Sequence, residues 1–100
     1  MDNYLKSLAN GLINCYEEAY NIYKNDVDTI INNKIDDINY IERTLDYIFS
    51  IYTEKGFYLY LKLLLYYRTV NYDNAIKYLE FLKEERAEEY NDFVKKKVKL

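Results

Sequence analysis

The sequence predicts an all-α fold, a small antiparallel bundle of about four helices. The chain of 100 residues contains 2 glycines and 0 prolines, so the turn residues that a strand-rich fold requires are missing. Apolar residues make up 50% of the chain and charged residues 31%, a composition typical of globular proteins. The apolar residues recur every three or four positions, which indicates helices. At this length we expect one helical domain, residues 1–100.

The first predicted helix covers residues 3–24. Its apolar stripe follows the 3.6-residue period of a helix and consists of Leu5, Leu8, Leu12, Tyr16, Ala19 and Tyr23. The polar run that begins at Asn25 predicts the end of this helix, with Asp26 or Asp28 as the N-cap of the next one. Cys15 precedes a member of the stripe and is expected to be a small buried core residue.

The second predicted helix covers residues 28–54. Its apolar face comprises Ile31, Ile35, Ile38, Leu45, Ile48 and Tyr52. Two alternatives stay open: Asn32 and Asn33 would divide the region into a short and a longer helix, or one long helix would continue from the first region, since no glycine or proline separates them. Lys55 and Gly56 predict the end of the region, because glycine often follows the last helical turn.

The third predicted helix, residues 57–69, contains the most apolar segment, in which ten of the eleven residues 57–67 are apolar. Eleven helical residues extend about 16 Å, which is too short for a bilayer core of about 30 Å. A helix that is apolar on all sides must be covered on all sides. Because a small domain covers only part of it, we predict a protein interface formed by Phe57, Tyr58, Tyr60, Leu61, Leu64 and Tyr67.

The fourth predicted helix covers residues 71–97, with Asn71 as its N-cap. Its inner face comprises Tyr72, Ala75, Ile76, Leu79 and Leu82. A helix of this length extends about 40 Å, more than a domain of this size needs, so we expect residues 86–100 to project, to bend or to contact a second copy. Tyr90, Phe93 and Val94 form a weaker apolar stripe there, and they complete the predicted interface.

The segment from Tyr66 to Leu82 resembles the helical hairpin of a tetratricopeptide repeat, and the resemblance extends over about residues 56–88. The matching residues are Tyr66, Tyr72, Ala75, Ile76 and Leu79. The sequence departs from the family where Leu63 and Leu82 replace small residues and Val70 replaces a loop glycine. A shift of 31 residues aligns residues 41–48 with residues 72–79 and suggests a degenerate second copy of the second helix of this hairpin. The resemblance implies binding of a protein or peptide, without catalysis.

Several classes of site are absent from the sequence. The chain has no histidine, which removes the commonest general base and most zinc sites. Cys15 is the only cysteine, so it lacks a partner for a nucleophilic pair or a metal site. Lys83 and Arg86 flank the acidic residues of the fourth helix, which are expected to form a solvated, self-paired face: Glu84, Glu85, Glu88, Glu89 and Asp92. We therefore predict no enzyme, no metal and no cofactor.

Charge favours protein over nucleic acid as a partner. The net charge is −3, which gives no general attraction to nucleic acids or anionic membranes. The one basic run is Lys95, Lys96, Lys97 and Lys99; it suits the end of a helix, where cations offset the helix dipole, and a weak nucleic-acid contact is the alternative. A single cysteine and the absence of a recognisable signal peptide or an 18-residue apolar run predict a cytoplasmic protein without membrane contact.

These observations predict a non-enzymatic protein-binding or assembly protein that forms homo-oligomers, with a dimer favoured, through its third helix. The chain contains 14 tyrosines and 4 phenylalanines, and tyrosine is frequent in protein interfaces. Another protein is an alternative partner. Two further functions stay open: an inhibitor of a host factor encoded by a virus or phage with a low-GC genome, similar to CRISPR inhibitors, or a nucleic-acid binder.

Overall fold

The structure is a computed structural model that describes residues 2–51 and 53–98. The side chains of Asp2, Tyr4, Ala9, Leu12, Ile13, Lys97 and Val98 lie outside that description. The described residues form five helices: α1 (Asp2–Asn32), α2 (Ile38–Phe49), α3 (Glu54–Val70), α4 (Tyr72–Glu85) and α5 (Ala87–Val98). The all-α prediction is confirmed, whereas the predicted number of about four helices is too small.

Helix α1 continues through the polar run that was predicted to end it. Val27 and Ile30 are fully buried, so the apolar face of the helix extends beyond Asn25. Lys24 Nζ lies 3.4 Å from Asp28 Oδ2, an ion pair between positions i and i+4 that supports a continuous helix. The predicted caps Asp26 and Asp28 are therefore helix-interior residues, because burial outweighs the local preference for a turn.

Helix α1 ends at Asn32, so the structure combines the two sequence alternatives: the first helix continues past residue 28, and the break falls at Asn32 and Asn33. Lys34 has a positive φ of 52°, its N–H donates to Ile31 O, and the N–H of Ile35 donates to Ile30 O at 2.9 Å. These two bonds form a Schellman motif, the ending in which one residue adopts the left-handed conformation. A lysine occupies the position that glycine usually fills.

The second predicted helix is thus replaced by α2, which begins after Asp37. The Asp37 carboxylate accepts a hydrogen bond from the N–H of Tyr40, the usual geometry of an N-cap. Helix α2 ends at Phe49, and the N–H groups of Ser50 and Ile51 donate to the last carbonyls. Gly56 lies in the first turn of α3, where its N–H donates to Thr53 Oγ1 at 3.1 Å. The prediction that Gly56 ends a helix is wrong.

The chain divides into two compact units, Met1–Leu63 and Leu64–Leu100, and the boundary falls within α3. In the first unit α1 packs against α2. The buried apolar side chains of this unit are Val27, Ile30, Ile41, Leu45, Ile48, Ile51, Phe57, Leu59, Tyr60 and Leu63. Tyrosine rings add contacts at its edge: Tyr23 stacks on Tyr47 with a centroid distance of 5.5 Å.

The second unit contains the end of α3 together with α4 and α5. Asn71 links α3 to α4, and its side chain accepts a hydrogen bond from the N–H of Asn74 at 3.0 Å, so the predicted N-cap is confirmed. The amide of Asn74 donates to the Tyr67 hydroxyl at 3.2 Å. Tyr72, which was predicted on the inner face of this helix, is exposed, because it occupies the first position of α4.

The single long helix predicted for residues 71–97 is interrupted at Arg86, which separates α4 from α5. Arg86 has φ −132° and ψ 51°, and its N–H donates to Leu82 O; its own carbonyl accepts from the N–H of Tyr90 at 3.0 Å. The Arg86 side chain is buried and pairs with Glu89 at 3.5 Å. The predicted pairing of Arg86 with an acidic neighbour agrees with this contact, whereas its predicted exposure to solvent is wrong, since the side chain is buried.

Candidate protein-binding surfaces

The predicted interface on α3 is largely enclosed within the chain. Phe57, Tyr60, Leu64 and Tyr67 are buried, and a partner cannot contact side chains that the chain already covers. Leu61 is half-buried. Tyr58 is 40% exposed and is the one exposed member of the predicted set on this helix. Leu65, which was not in the set, is 60% exposed.

The C-terminal part of the predicted interface lies on α5. Tyr90 and Phe93 are half-buried, and Val94 is exposed. Lys83 Nζ lies 5.3 Å from the centre of the Tyr90 ring, a cation–π contact that covers part of this ring. Lys95 and Lys96 are exposed, whereas the Lys97 side chain and all of Lys99 lie outside the described residues.

The first half of α1 exposes apolar side chains that the sequence analysis had assigned to the core. Leu5 is 61% exposed and Leu8 53% exposed, and farther along the helix Ile22 is 60% exposed. Cys15 is also exposed, so its prediction as a core residue is wrong. All the described side chains between Asn3 and Cys15 are exposed, because this part of α1 lies beyond the region that packs against α2.

The inner face of α1 becomes covered only from about Tyr16 onward. Tyr16, Ala19 and Tyr23 of the predicted stripe are half-buried, and Val27 and Ile30 continue it into the core. Ile22 lies about 140° around the helix from Val27 at 100° per residue. Leu5 and Leu8 therefore precede the part of α1 that is covered by the core, and Ile22 lies on a different side of the helix from Val27.

A groove between α1 and the beginning of α3 was not anticipated from the sequence. Its larger cavity, of about 370 Å³, is lined by Tyr16, Glu17, Tyr20, Asn21, Thr53, Glu54 and Lys55. A smaller cavity of about 200 Å³ shares Tyr20 and Lys55 with it. Lys55 Nζ lies 5.7 Å from the centre of the Tyr20 ring. The groove thus combines tyrosines with side chains of both charges, and tyrosine is enriched in protein interfaces.

Asp28 connects α1 to α3 beside the smaller cavity. Its carboxylate lies 3.2 Å from Lys62 Nζ as well as near Lys24. The hydrogen bond from Lys62 is the main cause that lowers the pKa of Asp28 below its ordinary value, and Lys24 lowers it further. In both ion pairs the side chains are partly exposed, so each pair contributes little stability, and only the pair with Lys62 joins α1 to α3.

A second polar link joins α1 to α2. The Tyr40 hydroxyl lies 3.5 Å from Asp26 Oδ1. Burial raises the pKa of Tyr40, and the negative charge of Asp26 raises it further. The phenol is therefore held in its neutral form, in which it can donate to the carboxylate.

No group of three or more histidine, cysteine or carboxylate side chains that could hold a metal ion occurs among the described residues. Across residues 2–51 and 53–98, no helix has both the length and the apolar composition needed to cross a membrane. Comparison with family models, curated proteins and solved structures found no match.

Proposed function

We propose that this protein is a non-enzymatic assembly protein of a reducing, cytoplasmic compartment, and that it binds another protein chain through the exposed apolar side of α1 between Leu5 and Ile22. The observation that carries the proposal is the exposure of Leu5, Leu8 and Ile22 on one helix. Burying a leucine side chain is favourable by about 1.5–3 kcal/mol. An apolar surface of several such residues, rather than single ones, is typical of an interaction site.

The length of the uncovered segment supports the same function. Helices of fewer than about 12–15 residues are marginal in water without a packed apolar face. The described side chains between Asn3 and Cys15 are exposed, and Gly11 lies within this segment, where glycine costs about 1 kcal/mol relative to alanine. A partner that covers the leucines would stabilise this part of the helix.

The absence of histidine and the single cysteine support a binding role rather than a catalytic one. The proposal changes the surface that was expected to carry the function: α1 replaces α3. On α3 most of the predicted side chains are buried, whereas on α1 the leucines are accessible. The groove between α1 and the beginning of α3, which Tyr16 and Tyr20 line, adjoins the same helix. It enlarges the surface that a partner can contact.

The test compares two double variants that add the same charge to the same helix. Leu5→Glu with Leu8→Glu places carboxylates on the apolar face, while Asn3→Glu with Asn10→Glu places them on exposed polar positions. We expect the wild type and the asparagine variant to form an assembly, with itself or with a protein from the source cell. The leucine variant should bind at least about tenfold more weakly, since each charge must be desolvated.

Sedimentation velocity and affinity capture both report the assembly. Circular dichroism verifies that the three proteins are equally folded, which is expected because all four substituted residues are exposed. Equal association of the two double variants, or a wild type that associates with no chain in either experiment, would refute the proposed function.

A further inference from the structure

We infer that the partner of α1 between Leu5 and Ile22 is a second copy of this chain, and that the two helices cross in an antiparallel coiled coil. This inference rests on the proposed function and specifies the partner. The residues concerned are Leu5, Leu8, Leu12, Cys15, Ala19 and Ile22, which we call the α1 seam. They are separated by 3, 4, 3, 4 and 3 positions.

This spacing is that of a heptad repeat. Apolar residues that alternate between three and four positions recur every 3.5 residues on average, which is the period of two helices wound around each other. Leu5, Leu8, Cys15 and Ile22 of the α1 seam are exposed and Ala19 is half-buried; Leu12 occupies the remaining position in the sequence. The face of α1 that packs within its own unit uses mainly other residues at these levels, including Tyr16 and Tyr23, and the half-buried Ala19 lies between the two faces.

The volumes of the side chains favour an antiparallel pair of identical helices. If residue 5 of one copy faces residue 22 of the other, then Leu8 faces Ala19 and Leu12 faces Cys15 at successive levels. Each level then combines a leucine with a smaller or equal side chain, which is how well-packed cores fill space evenly. A parallel pair would place Ala19 against Ala19 and Cys15 against Cys15, which leaves two levels underfilled.

Charge is compatible with the same arrangement. The charged residues between positions 5 and 22 are Lys6, Glu17 and Glu18. In the heptad that starts at Leu5, Lys6 and Glu17 point away from the seam. Glu18 flanks it and would lie opposite the uncharged Gly11 of the second copy, so no like charges meet. Two antiparallel helices also place their macrodipoles in opposite directions, which is favourable.

The size of the contact sets the strength that we expect. Residues 5–22 extend about 27 Å along the helix, and two helices of this length bury on the order of 1,000 Å² in total. That area is near the lower limit of specific protein interfaces. We therefore expect a dimer with a micromolar dissociation constant, formed in solution at about 10–100 µM and dissociated at much lower concentration.

Cysteine cross-linking tests the partner and the register together. In a Cys15→Ser background, one protein carries Leu5→Cys and a second carries Ile22→Cys, and the two are mixed under mild oxidation. Positions 5 and 22 of one helix are about 26 Å apart, too far for a disulfide within one chain. The matched control mixes Asn10→Cys with Glu17→Cys, which lie at facing levels of the same dimer but point away from the seam.

We expect the Leu5→Cys and Ile22→Cys mixture to yield several times more covalent dimer than either protein alone or the control mixture. A mass of two chains in sedimentation at about 100 µM, reduced to one chain by Leu8→Glu, supports the same conclusion. Efficient cross-linking of Leu5→Cys with itself would overturn the antiparallel register. A mass of one chain at every concentration would overturn the second copy as partner, and the affinity-capture comparison of the leucine and asparagine variants would then still decide the proposed function.

Discussion

Replacement of Gly56 by alanine is predicted to destabilise the protein, although alanine is the better helix former. Gly56 lies in the first turn of α3 and is buried. A Cβ atom built on it would lie 2.6 Å from the carbonyl oxygen of Ile51, 2.8 Å from Ile51 Cγ2 and 2.9 Å from Ile51 Cβ. Carbon atoms in favourable contact are about 3.5–4.0 Å apart, so either α3 or the segment at Ile51 must move.

The magnitude follows from two opposing contributions. Overpacking in a filled interior costs about 1–3 kcal/mol, and the cost should lie at the upper end here because the obstacles are backbone and a β-branched side chain that is itself buried. Alanine in a helix gains about 1 kcal/mol over glycine. We expect a net loss of about 1–2 kcal/mol in the free energy of unfolding, which lowers Tm by about 5–15 °C in a domain of this size.

Gly11→Ala is the matched control. A Cβ atom at Gly11 would meet nothing within 4 Å, and the residue is exposed within α1. The same substitution should there increase the helical signal at 222 nm and leave Tm unchanged or slightly higher. Urea and thermal unfolding followed by circular dichroism measure both variants. If Gly56→Ala were as stable as the wild type while Gly11→Ala behaved as expected, the close approach to Ile51 would not constrain the fold.

Three further predictions concern the ends, the core and the charges of the first unit. Lys34→Gly should raise the free energy of unfolding by about 0.5–1 kcal/mol, because glycine adopts the positive φ of this position without strain; a urea titration that also shows a gain for Lys34→Ala would contradict this reason. Leu45→Ala should lower the free energy of unfolding by about 2–4 kcal/mol because Leu45 is fully buried in α2, and a loss below about 1 kcal/mol would show that the site collapses around the smaller residue. Asp28→Asn should remove a stabilisation that depends on pH: because the folded-state pKa of Asp28 is lowered below 3.8, the stabilisation is present above about pH 4 and disappears as the pH falls through the folded-state pKa. The urea midpoints of wild type and Asp28→Asn should therefore differ at pH 7 and approach each other as the pH falls below about 4, and a constant difference would indicate that the ion pairs are not its cause.

The fold class was predictable because its main signals are global. Near absence of glycine and proline and apolar residues at helical spacing do not depend on where one helix ends. The ends themselves depend on tertiary contacts. Asp26 and Asp28 have the chemistry of N-caps, but burial of Val27 and Ile30 keeps the helix continuous through them. Gly56 has the chemistry of a helix stop, but here it permits the approach of Ile51.

The apolar segment of α3 shows why the candidate surface was harder to predict. Composition indicates that these side chains must be covered, but it does not identify what covers them. In the structure Phe57 and Tyr60 are buried within the chain, and an edge contact of 6.0 Å between the rings of Phe49 and Tyr60 contributes to that burial. The prediction underestimated how many apolar side chains precede α3 and are available to cover it.

The prediction that Leu5 and Leu8 of α1 belong to the core was wrong for a different reason. Two periodic patterns share these leucines. Leu5 and Leu8 begin a stripe of period 3.6 that continues through Tyr16 and Tyr23, and equally one of period 3.5 that continues through Cys15 and Ile22. Over two turns the two periods cannot be distinguished, because they differ by only about 20° per seven residues.

The two patterns separate only in the second half of α1, where they lead to opposite environments. Tyr23 is half-buried and stacks on Tyr47, whereas Ile22 is exposed. A helix with one buried stripe would need only the first pattern. The second pattern persists as far as the exposed Ile22, which agrees with the proposal that α1 contacts its own unit on one side and a second helix on another.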